Sequence, residues 1–116
     1  MNDNFYFKIT NTTDEIIMIK LKIRRVTYCI LTYKINYDIN TIYLYTIQTY
    51  EKKRHNGYAT KMMTYFIEYF NEFNILTKVI GGEENIGCMK LLLNFNFKSI
   101  KIDNDSFMIR NSILKI

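Results

Sequence analysis

Glu51 to Thr60 reads Glu-Lys-Lys-Arg-His-Asn-Gly-Tyr-Ala-Thr: a cluster of cationic groups, one glycine, then small residues opening an amphipathic stretch. The start of a helix leaves several backbone N–H groups unpaired, aimed along the axis with a partial positive charge behind them. Gly57 and Ala59 keep such a turn small, so a phosphate can approach the backbone. Lys52, Lys53, Arg54 and His55 surround it with mobile positive charge. Strand, basic turn, glycine and helix together describe a pyrophosphate cradle. The segment is neither a Walker loop, for it lacks the spaced glycines and the Gly-Lys-Ser/Thr, nor a dinucleotide fingerprint, having one of three glycines.

Other chemistries find little to work with. His55 is the only imidazole, and Cys29 and Cys88 sit in apolar segments without metal-ligand spacing. No metal site is expected. Without a secretory signal at Met1 to Asn4, a Cys29–Cys88 disulfide is the weaker reading against two thiols. At 116 residues with 48% hydrophobic and 23% charged residues the chain fits one globular domain spanning 1–116. No run approaches the roughly 18 apolar residues of a membrane helix. A cytoplasmic location is the expectation. The net charge of +5 suits an anionic partner only where cations cluster, and the clearest cluster is Lys52 to His55.

The elements that must position the cradle follow from periodicity. Phe5 to Thr10 predicts a short strand closed by the turn Asn11 to Glu15. Ile17, Ile19, Leu21 and Ile23 alternate with Lys20, Lys22 and Arg24, the period of a strand with one wet face. Val26 to Ile35 predicts its hairpin partner, and Ile42 to Thr49 the next strand. The alternation in that strand breaks after Leu44, since Ile47 and Thr49 are odd. Either one extra residue near Tyr45-Thr46 forms a β-bulge or the strand is buried on both faces. Met63, Phe66, Ile67, Phe70 and Phe73 predict a helix from Tyr58 to about Asn74 with an apolar stripe. Thr77 to Ile80 predicts a buried strand and Ile86 to Phe95 a helix capped by Asn85, with Glu83 and Glu84 at its positive end. Phe97 to Ile102 and Ser106 to Leu114 predict a hairpin about Asp103-Asn104-Asp105. A strand-helix-strand crossover demands one parallel pair, so the fold class is α/β, a mixed and mostly antiparallel sheet.

Arg54-x-x-Gly57-x-Ala59 resembles the Arg/Gln-x-x-Gly-x-Gly/Ala signature of the Gcn5-related N-acetyltransferases. Leu44, Ile47 and Thr49 fall where that family has its spaced apolar positions. Asn85-Ile86-Gly87-Cys88, ending in Asn96-Phe97, is similar to the family's Asn-x-x-Ala…Gly-Phe pattern in order and spacing. The matches cover Ile42 to Lys98, about half the chain. The resemblance implies an acyl-CoA N-acyltransferase fold with acetyl-CoA as cofactor. It puts the pyrophosphate on the amides of His55, Asn56, Gly57, Tyr58, Ala59 and Thr60 beside Arg54. It puts the pantetheine arm along Ile47, Gln48 and Thr49 and facing Asn85. The thioester carbonyl would meet an amide near Thr49, which favours the bulge.

Two departures qualify the resemblance. The family's acid, a tyrosine seven residues after the Asn, is Leu92 here, which donates no proton. The two helices that usually follow the first strand have no room between Asn11 and Glu15, so the acceptor side should be open and the fold trimmed at its N-terminal side. Base candidates are then Glu83 and Glu84, with Tyr43 or Tyr45 as hydroxyl relays. His55 suits phosphate contact better. The function implied is acetyl transfer from acetyl-CoA to an amine, a protein lysine or N-terminus. The alternatives are a coenzyme A-binding module without catalysis and a basic nucleic-acid-binding domain using Lys52 to Arg54. No membrane partner is expected, nucleic acid is the least favoured partner, and a homodimer stays open.

Overall fold

The computed structural model describes residues 4–12, 15–50, 57–78 and 86–112, with the backbone alone for 86–88. In chain order the elements are β1 (Phe5–Asn11), β2 (Ile17–Ile23), β3 (Val26–Asn36), a 3-10 turn (Tyr37–Ile39), β4 (Thr41–Thr49), α1 (Tyr58–Tyr69), β5 (Asn74–Lys78), α2 (Ile86–Asn94), β6 (Lys98–Ile102) and β7 (Asp105–Arg110). One sheet takes all seven strands in the order β1-β2-β3-β4-β5-β7-β6. Among the described residues β4 and β5 form the one parallel pair, so the expected mixed sheet is the observed one.

The period-two pattern of β2 translates directly into burial. Ile19, Leu21 and Ile23 are buried, and the register brings them opposite Leu31, Cys29 and Val26 of β3. On this face α1 lays down Met62, Met63, Phe66, Ile67 and, from the turn after it, Phe70. Tyr33 sits in the middle, its ring 5.3 Å from that of Phe66 and 5.1 Å from that of Phe70. Phe7 of β1 stacks on Tyr65 with ring centroids 3.9 Å apart, which ties the outermost strand to the helix. Strands β1 and β2 follow one another in the chain and pair along their whole length.

Several boundaries differ from the sequence expectation, among them the end of the last strand, at Arg110 rather than Leu114. Helix α1 ends at Tyr69 rather than near Asn74, and β5 begins at Asn74 rather than Thr77. The apolar spacing runs on because Phe70 and Phe73 pack on the same core from a turn. What stops the helix is the pairing of β5. The Asn74 N–H donates to the Asn40 carbonyl at 2.9 Å, and the Asn40 side-chain amide donates to the Glu72 carbonyl at 2.8 Å. At the last hairpin the turn is Asp103-Asn104 alone, both with positive φ (50° and 71°), and Asp105 pairs with Ile102 as the first residue of β7. Asp and Asn tolerate that conformation, which matches the twist of a two-residue hairpin.

The end of α2 is legible in detail. Asn96 has φ 69°, its N–H donates to the Leu93 carbonyl at 3.1 Å, and the Phe97 N–H reaches the Leu92 carbonyl at 3.1 Å. These two bonds make a Schellman closure, with buried Leu92 and Phe97 as its apolar pair. Asn96 therefore holds the left-handed position that closes the helix.

Burial, and after it the neighbouring hydroxyls of Tyr69, Tyr65 and Tyr37, push the Tyr33 phenol up from 10.0 to about 12. A phenol held protonated by the fold contributes stability that is complete below its unfolded value of 10.0 and is lost as pH climbs through about 12. Tyr33→Phe should remove on the order of 2 kcal/mol of that alkaline loss, read as the difference between urea midpoints at pH 9 and pH 12 for the two proteins. Equal losses in both would show that Tyr33 does not titrate as a buried group.

Candidate functional site

The parallel ladder is short. Thr41, Ile42 and Tyr43 pair with Asn74, Ile75 and Leu76, and there the two strands part. Beyond that point β4 continues to Thr49 paired with β3, while Thr77 and Lys78 of β5 pair with Met108 and Phe107 of β7. The sheet thus opens into a cleft at the carboxyl ends of its parallel pair, where open α/β sheets take their ligands.

A bulge sits at the mouth of this cleft. Thr32 pairs with Thr46 and Tyr33 with Leu44, leaving Tyr45 without a counterpart. The extra residue inverts the parity of the strand. Before it Ile42 and Leu44 are buried in the core; after it Ile47 and Thr49 face the same side, and the Thr49 hydroxyl donates to the Cys29 sulfur at 3.6 Å. The irregular pattern of Leu44, Ile47 and Thr49 is therefore a bulge and not a doubly buried strand. Cys29 is a free thiol, and burial pushes its pKa up, so it packs rather than reacts.

The N-terminus of α1 is held at the same opening. Gly57 caps it in the left-handed region (φ 77°, ψ 13°), with no side-chain cap and no acid in the first turn. The first intrahelical bond runs from the Lys61 N–H to the Gly57 carbonyl at 3.0 Å. The N–H groups of Tyr58, Ala59 and Thr60 precede it and have no partner within the helix. Tyr28, itself the extra residue of a second bulge between β2 and β3, accepts at its carbonyl from the Tyr50 N–H at 3.2 Å. Its ring meets the Tyr58 ring edge to face at 4.9 Å. One residue thereby fixes the helix start beside the carboxyl end of β4. The Tyr58 side chain is an anchor, which leaves its amide as the part able to meet a ligand.

Lys61 was not among the sequence candidates. Its ammonium lies 3.8 Å from where a Cβ on residue 57 would stand. The signal was present as the four-residue step from Gly57, because side chains on a helix lean toward its N-terminus. Among the described residues a Cβ at Gly57 would meet no atom closer than that, and its positive φ restricts the position.

Tyr43 and Tyr45 come together on the other face of β4, lining a cleft of about 450 Å³ with Glu15, Lys34, Asn36 and Asp38. Glu15, reached through the β1–β2 turn with φ 65°, pairs with Lys34 at 3.5 Å. It is a carboxylate that sequence spacing had no means of bringing to Tyr43. Of the strand positions proposed for the cofactor arm, Ile47 and Thr49 lie on the core side and Gln48 on the opposite, exposed side. Leu92 is 3% exposed within the core, so the position of the missing acid is a packing position here. Lys52, Lys53, Arg54, His55, Asn56, Glu83, Glu84 and Asn85 lie outside the described residues.

No protein-family model matches the sequence, and no curated protein matches it. Solved structures do. A chain described as an acyl-CoA N-acyltransferase from Klebsiella pneumoniae superposes with a TM-score of 0.78 at 7% identity, over 97% of this chain and 100% of that one. An acetyltransferase from Thermus thermophilus gives 0.71 at 13% identity, over 85% of this chain and 66% of that one. An N-acetyltransferase from Thermoplasma acidophilum, solved with coenzyme A, gives 0.69 at 12% identity, over 84% of this chain and 61% of that one. The chain thus spans about two thirds of the latter two and the full length of the first. With its strand order, its parted parallel pair and its bulge, this chain has the acyl-CoA N-acyltransferase fold of the Gcn5-related acetyltransferases.

Proposed function

We propose that the chain is an acetyl-CoA-dependent N-acetyltransferase whose acceptor is an amine on a protein, a lysine or an N-terminus. The observation that carries this reading is the conjunction at one opening of a parted parallel pair, a bulged strand and a helix start without a side-chain cap. The residues present fit a pyrophosphate: amides at Tyr58, Ala59 and Thr60 without a partner within the helix, a left-handed Gly57 and the Lys61 ammonium beside it. Arg54, His55 and Asn56 would complete that cradle, and Asn85 would face the arm running along Ile47, Gln48 and Thr49. The coenzyme A held by the Thermoplasma neighbour supports the choice of cofactor.

Bound acetyl-CoA supplies an activated thioester, and the chain's own residues supply position. The anion cradle fixes one end of the cofactor and the parted strands guide the other toward the bulge at Tyr45. Alignment of this kind is worth about 7–11 kcal/mol of a barrier, against about 3–5 for an acid or base. The acceptor amine must lose a proton. Tyr43 and Tyr45, which line one cleft with Glu15, would relay it, with Glu83 and Glu84 as further candidate bases. A protein acceptor fits an open sheet face better than a walled metabolite would.

Buried Leu92 favours one second reading, a coenzyme A-binding module without catalysis. Leu92→Tyr separates its two sides. Because the site is packed, the added ring should cost about 1–3 kcal/mol of stability and leave thiol release from acetyl-CoA no faster, in place of the gain expected of a restored acid. A rate gain of 10-fold at unchanged stability would mean that residue 92 does reach the sulfur.

Acetyl-CoA at a hundred times its Kd should raise stability by about 2.7 kcal/mol. In Gly57→Glu that increment should vanish while the circular dichroism spectrum is retained, since the carboxylate would stand where the anion binds. A melting curve of the wild type unmoved by millimolar acetyl-CoA would remove the cofactor reading itself.

A further inference from the structure

The face of β1–β4 turned away from α1 carries a pattern that folding does not explain. Register aligns Lys8 of β1 directly opposite Lys20 of β2, with Lys22 two residues along and opposite Tyr6. The same rows continue from Lys20 to Ile30 of β3 and Gln48 of β4, and from Met18 to Thr32 and Thr46, whose hydroxyls share a hydrogen bond of 2.6 Å. None of these side chains is buried. Like charges directly opposite one another weaken a strand pair. Among the described residues neither Lys8, Lys20 nor Lys22 has an acidic partner. Between Phe5 and Asn36 there are six Lys and Arg and only two acids, Asp14 and Glu15, and Glu15 is taken by Lys34.

We infer that this bare sheet face binds an acidic, extended polypeptide segment, the stretch of the acceptor that flanks its modified amine. Charge complementarity names the partner's sign, and geometry names its shape. Lys20 and Lys22 are about 6.6–6.8 Å apart along their strand, the repeat of alternate residues in any extended chain. A segment with Asp or Glu at every second position presents carboxylates at that interval. Lys8, opposite Lys20, widens the target to a second row. From Lys22 and Lys20 the strand runs back through Met18 to Ile17, two residues after Glu15, which lines the Tyr43–Tyr45 cleft, so a peptide lying along β2 leads its neighbouring residues there. The role given to the face rests on the protein-acceptor reading; the binding does not.

The test uses the full chain, a fluorescein-labelled (Glu-Ser)6 peptide, a (Gly-Ser)6 control and a single-stranded oligonucleotide of equal charge. Anisotropy should show wild type binding the acidic peptide, more weakly as salt rises, and ignoring the neutral one. The triple variant Lys8→Gln, Lys20→Gln, Lys22→Gln should bind the acidic peptide at least 10-fold more weakly. Its melting temperature should be equal or higher, because the repulsion is gone, and its acetyl-CoA melting shift should be unchanged. Wild-type failure to bind at 20 mM salt, equal binding by the variant, or tighter binding of the oligonucleotide than of the peptide each overturns the inference. Loss of the acetyl-CoA shift in wild type with peptide binding intact would instead remove the cofactor reading and leave this one standing.

Discussion

Three backbone pairs between β4 and β5 hold the two halves of the sheet together, and the rest of the molecule is arranged around their brevity. On one side lies the four-stranded antiparallel block β1–β4, on the other β5 with β7 and β6. The seam is pinned at its lower end by a knot of asparagines. Asn74 donates its N–H to the Asn40 carbonyl and accepts from the Ser112 N–H at 2.8 Å, while the Glu72 carbonyl takes both the Asn40 amide and the Ser112 hydroxyl. With that end tied and the other unpaired, the strands can diverge only toward their carboxyl ends. The cleft is a consequence of where the hydrogen bonds stop.

Divergence alone would leave a slot; the two bulges make it a site. The one at Tyr45 turns over the parity of β4, so that Ile47 and Thr49 stay on the core while the ladder to β3 skips a residue at the mouth. The one at Tyr28 carries the contact that brings Tyr58, and with it the first turn of α1, to the carboxyl end of β4. A helix start supplies unpaired donors wherever it lies. Its usefulness comes from being anchored within reach of a strand whose edge toward β5 has stopped pairing.

The core is one-sided over the first four strands, and this shapes what the molecule can meet. Ile19, Leu21, Leu31 and Ile42 are sealed by α1, whereas the reverse face shows lysines, threonines and tyrosines. A direct β1–β2 hairpin leaves that reverse face uncovered beside the bulge. Among the described residues Lys8, Lys20 and Lys22 stand on that reverse face, and Lys61 stands beside the helix start.

Much of this was legible in the residues. The alternation from Ile17 to Ile23 is enforced by the two-residue repeat of a strand, and Gly57 followed by an apolar stripe at three- and four-residue steps can only open a helix. Asn96 at the end of α2 could be read as a tolerated left-handed position because Asn is one of few residues that pays little for it. The broken parity after Leu44 pointed to one extra residue, though its own letters allowed a doubly buried strand as well. Other features were decided in three dimensions. The stripe from Met63 to Phe73 does not say where α1 stops, since a turn can bury Phe70 and Phe73 as well as a helix can; the pairing of Asn74 with Asn40 ends it. Glu15 near Tyr43, Lys61 beside Gly57, Lys8 against Lys20 and Leu92 inside the core all depend on register and packing between segments far apart in the chain. Local sequence sets periodicity, which is a property of neighbours along the backbone. Which side chains share a site is set by strand order and register, and those are chosen by the whole core at once.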